Sequence, residues 1–168
     1  MAAATLNAEL VKNPDENTLW VEDGKDIAVC GDNFGAGFNK TNVKIEPLPE
    51  GGFSIESGPG VDTGRYMDIS SEYPWIVFEI TGVDLKDGYK AMLLPSFMHK
   101  NQYFIQQGGP QKGVYAMNVY ENSKLTTEDK REFMRMDLHG VKLKFKYIKM
   151  VREPDYSIRV ASDAFKAK

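Results

Sequence analysis

Apolar and polar residues alternate along most of this chain with a period of two, and the apolar runs are short. Residues 18–21, Thr18-Leu19-Trp20-Val21, are followed by Glu22-Asp23-Gly24-Lys25 and then by a run from Asp26 to Cys30. Asp-Gly between two β-prone runs predicts a hairpin. Val43-Lys44-Ile45 and Phe53-Ser54-Ile55 flank Pro47-Leu48-Pro49-Glu50-Gly51-Gly52, which predicts a second strand–turn–strand unit. Tyr73-Pro74-Trp75-Ile76-Val77-Phe78-Glu79-Ile80 has the β-branched and aromatic content of a central strand buried on both faces. Further strands are expected at residues 89–94, 103–106, 114–120, 133–138, 141–151 and 156–161.

Ten to twelve strands at this spacing predict an all-β fold, a two-sheet antiparallel β-sandwich. Helical periods are confined to the termini and to residues 123–132, where Thr126 with Asp129 predicts one short, capped helical turn. Residues 1–17 read as a polar lead-in, in which Asn13-Pro14-Asp15 ends any early helical turn. Residues 18–168 read as a single domain, since no repeat, low-complexity tract or linker divides them.

The run Val141-Lys142-Leu143-Lys144-Phe145-Lys146-Tyr147 alternates without error, with apolar residues to one side and three lysines to the other. Ammonium groups about 7 Å apart along one strand offer a surface to an acidic polysaccharide. The plainer reading, and the preferred one, is a solvated outer face whose lysines oppose carboxylates such as Glu79 or Asp137. Beyond Tyr147 the apolar phase passes to Ile148 and Met150, which predicts a β-bulge near Tyr147-Ile148.

Composition narrows the chemistry. The 168 residues carry a formal charge of −3, which gives the molecule as a whole no electrostatic reason to seek nucleic acid or an anionic membrane. No apolar run approaches the length of a membrane span, and the first residues lack the basic and apolar regions of a signal peptide. With Cys30 as the one cysteine and His99 and His139 as the two histidines, neither an internal disulfide nor a cysteine-based zinc cage can form. No Gly-x-Ser-x-Gly elbow is present, and the glycine-rich stretch Gly31-Asp32-Asn33-Phe34-Gly35-Ala36-Gly37 lacks the Lys-Ser/Thr ending of a phosphate loop. Glu79, Asp137 and Glu121 are the carboxylates on predicted strands that a glycosidase mechanism would draw on. No cofactor is required, but Asp32 and Asn33 with loop carbonyls, or Asp155 with Glu153, supply the oxygen donors of a candidate structural calcium site.

Aromatic side chains next to amides and arginine are the most suggestive feature. Sugar rings present flat C–H faces that stack on aromatic rings, while amides and guanidinium groups bond their hydroxyls. Arg65, Tyr66, His99, Asn101, Tyr103 and Gln107 offer that mixture and are the candidate carbohydrate-binding residues. The competing reading is that such aromatics fill the core.

The stretch from Arg65-Tyr66-Met67-Asp68-Ile69 to Tyr73-Pro74-Trp75-Ile76-Val77-Phe78-Glu79-Ile80, the run Lys144-Phe145-Lys146-Tyr147-Ile148-Lys149-Met150-Val151 and the closing Asp155-Tyr156-Ser157-Ile158 resemble the galactose-binding-like β-jelly-roll modules of bacterial polysaccharide-degrading enzymes. The likeness spans residues 18–161 as a succession of short strands, a long penultimate strand and a short last one. It implies a secreted or cell-surface module that binds a polysaccharide or oligosaccharide without catalysis, often with a structural calcium and alongside other domains of a larger enzyme. No binding residue is transferred by motif, and jelly rolls host many functions. Two other readings stay open: a structural or protein-interaction β-sandwich of a surface or virion, and a small glycan-active enzyme using paired carboxylates.

Overall fold

The computed structural model describes residues 11–24, 43–57, 61–85, 92–97, 101–102, 111–121, 123–154 and 159–160. Within them the alternating runs become twelve strands: β1 (Val11–Asp15), β2 (Thr18–Glu22), β3 (Val43–Pro47), β4 (Phe53–Ser57), β5 (Val61–Asp68), β6 (Trp75–Leu85), β7 (Met92–Phe97), β8 (Asn101–Gln102), β9 (Gly113–Asn118), β10 (Arg131–His139), β11 (Val141–Val151) and β12 (Arg159–Val160). The larger sheet runs β1-β2-β11-β6-β9-β12, with β4 also on β11 and β3 on β4; the smaller runs β5-β10-β7-β8. Every pairing is antiparallel except that of β9 with β12.

Strand β11 organises the larger sheet. One of its edges pairs β6 from Val141 to Val151, whereas the other is divided, Lys142 to Phe145 pairing β4 and Ile148 to Val151 pairing β2. The expected bulge lies at Lys146, because Phe145 faces Ile80 while Tyr147 faces the adjacent Glu79. A compensating slip on β6 leaves Thr81 between Ile80 and Gly82, and its hydroxyl donates to the Lys144 carbonyl at 3.4 Å.

Two glycines close the gap where β4 gives way to β2. Gly24 (φ +75) follows β2 and Gly52 (φ +79) precedes β4, and the Gly52 N–H donates to the Asp23 carbonyl at 2.9 Å. A Cβ on Gly24 would meet the Gly52 carbonyl, and one on Gly52 would meet the Phe145 carbonyl and Lys146. Backbone from three strands therefore converges on the β11 bulge at a distance no side chain tolerates. The buried Glu22 carboxylate accepts from the Gly24 N–H at 3.2 Å and so pins the end of β2 there.

The core lies on one face of the larger sheet. Trp20, Phe53, Ile55, Ile76, Phe78, Ile80, Met117, Val141, Leu143, Phe145, Ile148 and Met150 are almost wholly buried in it, together with Met67 from β5 and Ile69 just beyond. Phe145 stacks on Phe53 with ring centres 5.4 Å apart and meets Phe78 edge-on at 6.0 Å. Trp20 donates its indole N–H to the Asp68 carbonyl at 2.9 Å, joining β2 of the larger sheet to β5 of the smaller. The chain itself also joins them, because Gly140 (φ 55) alone separates β10 from β11. As expected for a central strand, β6 is buried on both faces: Val77, opposite in direction to Ile76 and Phe78, is fully buried beside Ala116 of β9.

Two local expectations change. No helix occurs among the described residues. The Thr126–Asp129 pair does form, with the Asp129 carboxylate accepting from the Thr126 N–H at 2.8 Å, but the Asp129 N–H returns to the Thr126 carbonyl at 3.1 Å and closes a turn. Continuation as a helix loses to β10, which starts at Arg131 and pairs Asp68. The polar lead-in also contains a strand, β1, with Pro14 inside it. Pro14 is tolerated because β1 lies at a sheet edge and its pairing slips between Lys12 and Asp15.

Candidate functional site

The end of β11 carries a cleft of about 570 Å³ lined by Glu16, Asn17, Tyr73 and Arg152. Antiparallel pairing assembles it. Val151 lies opposite Thr18 on β2 and Trp75 on β6, so the residues just outside these strands, Asn17, Tyr73 and Arg152, meet at one rim. Asn17 fixes the junction: its carbonyl accepts from the Arg152 N–H at 2.8 Å, its amide nitrogen donates to the Glu153 carbonyl at 2.9 Å, and its amide oxygen accepts from the Glu153 N–H at 3.0 Å.

The guanidinium of Arg152 is held in place by neighbours on several sides. Its Nε donates to the Glu16 carbonyl at 3.3 Å and Nη2 donates to the Tyr73 hydroxyl at 3.0 Å, with Glu72 at 3.8 Å. The group also lies 4.6 Å from the centre of the Tyr73 ring. The Tyr73 hydrogen bond, followed by Glu72 and Glu16, holds Arg152 above its ordinary range, so it is a permanent cation. Of its five N–H groups, the two on Nη1 face no acceptor among the described residues and are free for a ligand. Chemically, the cleft presents an aromatic ring, a fixed cation, an amide and a carboxylate to one volume.

A second groove, about 480 Å³, lies on the outward face of the larger sheet and is lined by Thr81, Gly82, Val83, Asp84, Lys112, Lys142 and Lys144. The lysine ladder expected at residues 142–146 thus exists, but its members differ. Lys146 approaches Glu79 at 3.7 Å, as the cross-strand reading anticipates. Glu79 also accepts from the Tyr147 hydroxyl; burial first, and then this carboxylate, raise the Tyr147 phenol above its ordinary value. Lys142 lies between Glu56 on β4 and Asp84 on β6, whereas Lys144 lies between Ser54 and Gly82, neither of them charged.

Tyr66 lies on β5 and is 62% exposed. Arg65 precedes it on the same strand, and Asn101 lies on the short β8 at the far side of the smaller sheet. His99, Tyr103 and Gln107, and the calcium candidates Asp32, Asn33 and Asp155, lie outside the described residues. Among the described residues no three of His, Cys, Asp and Glu gather into a metal-holding group. Of the carboxylates, Glu79 lies on the larger sheet, Asp137 on the smaller, and Glu121 in the turn after β9. The cleft at Arg152 was not among the sequence candidates, because its members are up to 136 residues apart in the chain. The signal is the strand ends: once β6 and β11 are paired antiparallel, the residues just before one and just after the other come together.

Tyr120 stands apart from both sites. Its hydroxyl is buried without a hydrogen-bond partner among the described residues. Burial, with a smaller contribution from Asp129, pushes its phenol up to about 12. An unpartnered buried hydroxyl is a net cost, so Tyr120→Phe is expected to raise stability at pH 7 by about 1 kcal/mol in urea unfolding. Because its folded value exceeds the unfolded value of about 10, ionisation of this phenol leaves stability untouched below pH ~10 and lowers it as pH rises towards 12. The melting temperature of the parent should therefore fall more steeply above pH ~10 than that of Tyr120→Phe. Equal slopes would show that the phenol is solvated.

Compared with protein-family models, with curated proteins and with solved structures, the chain gives no match.

Proposed function

We propose that this protein is a non-catalytic carbohydrate-binding domain, a two-sheet sandwich that holds a saccharide in the cleft at Arg152. The observation that carries the reading is the meeting of Tyr73, Arg152, Asn17 and Glu16 around one 570 Å³ volume. A sugar hydroxyl is both donor and acceptor, and it is best met by a fixed donor beside a fixed acceptor. The Nη1 hydrogens of Arg152 supply the fixed donor, and the nearby Glu16 carboxylate supplies an acceptor. The half-buried ring of Tyr73 supplies apolar contact for a pyranose C–H face. Because Arg152 is already immobilised by Tyr73 and Glu16, little side-chain entropy is lost on binding.

The sandwich arrangement is supported by the core shared between Met67, Ile69 and the larger sheet, by the Trp20–Asp68 hydrogen bond and by the corner at Gly140. The role follows as that of an extracellular or cell-surface module that holds an associated polysaccharide-active enzyme on its substrate.

Affinity electrophoresis through gels containing neutral polysaccharides tests the reading. At least one neutral glucan, mannan, galactan or xylan should retard the protein. Arg152→Ala and Tyr73→Ala should each weaken that retardation by about tenfold, the loss of roughly one strong polar contact. The melting temperature of each variant establishes that it is folded. Absence of retardation by every neutral gel, or full retardation of both folded variants, would remove the cleft as a saccharide site.

A further inference from the structure

We infer that the groove on the outward face of β6 and β11 is an anion site that accepts the carboxylate or sulfate groups of an acidic polysaccharide. Lys142 and Lys144 rise from β11 about 7 Å apart, and Lys112 reaches the same groove from the turn before β9, on the far side of β6. Among the described lining residues Asp84 is the one carboxylate beside three lysines, so positive charge is in excess among them, although the chain as a whole is at −3.

Three observations separate this groove from an ordinary solvated face. The carboxylates that neutralise neighbouring lysines stand elsewhere: Glu79 is at Lys146 and Glu46 is 3.1 Å from Lys44. Among the described residues none of Lys112, Lys142 and Lys144 forms an ion pair. The groove is also floored by Gly82 directly across from Lys144, whose aliphatic stem fills the space a Cβ would take. Lys144 has no carboxylate opposite it on either neighbouring strand, Ser54 and Gly82 taking those places. Two cations on one strand and one on the other side of β6 form an open trough, which suits a chain bearing repeated charges more than a single small ion.

That the anionic chain is a polysaccharide rests on the carbohydrate reading; the anion site itself does not. The probe is polygalacturonate, run beside its fully methyl-esterified form and a single-stranded oligonucleotide, at low and at physiological salt. Polygalacturonate should retard the intact protein at low salt, and added salt should weaken that retardation. The neutral ester should bind at least tenfold more weakly. Lys144→Gln and Lys112→Gln should each weaken polygalacturonate binding about fivefold, and together by more than tenfold. Lys44→Gln and Lys146→Gln, which alter ion-paired lysines, should change it less than twofold. Wild-type retardation of the double variant, or none of the parent, overturns the site. Oligonucleotide binding as strong as that of polygalacturonate overturns the polysaccharide assignment. Loss of every neutral glycan with polygalacturonate retained would sink the Arg152 cleft and leave the groove standing.

Discussion

Gly52→Ala is expected to lower stability by about 3 kcal/mol, the sum of a left-handed backbone forced on an L-residue and of overpacking against main chain. For a protein of this size that is a fall of about 6–12 °C in melting temperature. The new methyl group would meet the Phe145 carbonyl and the Lys146 backbone, and no rotamer change relieves a contact with backbone. Gly51→Ala is the matched control, since Gly51 has φ +97 but open space around the added atom. It should show only the conformational cost, about 1 kcal/mol. Urea unfolding of the two variants checks this, and equal losses would mean that the β3–β4 hairpin does not rest on β11.

Phe145→Ala should be costlier still, about 3–5 kcal/mol. Phe145 is fully buried, stacks on Phe53, and meets Phe78, which itself stacks on Tyr115 at 5.2 Å. Removing it opens a void between two rings that are fixed by their own strands and cannot collapse inwards. Phe145→Leu keeps most of the volume and should recover more than half of the loss. Because Gly52 packs on the carbonyl of this same residue, Gly52→Ala and Phe145→Ala together should cost less than their sum. Full additivity would place the two defects in independent parts of the molecule.

Features governed by local pattern were legible in the sequence. The alternation from Val141 to Val151 marks β11 from end to end, and its phase change places a bulge within one residue of Lys146. The β-branched and aromatic run before Ile80 marks a strand buried on both faces. The lysine–carboxylate opposition was visible too, because side-chain period and strand pairing together leave few partners for Lys146. Other features depend on which strands meet, and no periodicity encodes that. Nothing near Arg152 announces Tyr73 or Asn17. Nothing near Pro14 announces a strand either, since proline reads as a breaker until an edge position and a bulge excuse its missing donor. The division of the β11 edge between β4 and β2 turns on two glycines whose role shows only when Gly24 and Gly52 are brought together. The sugar candidates are aromatics and amides adjacent in sequence; the cleft gathers the same side-chain types from three distant strand ends.

The divided edge of β11 has a consequence for how the protein is made. During synthesis β2, β4 and β6 all leave the ribosome before residue 141, and each has one partner already made (β1, β3 and β9) but takes the other from a strand not yet translated. Until then they present unpaired edges that can join another chain. Closure of the sheet is therefore a late, single event in which one strand docks against three. A nascent chain stalled short of β11 would be the form most exposed to aggregation and to chaperones.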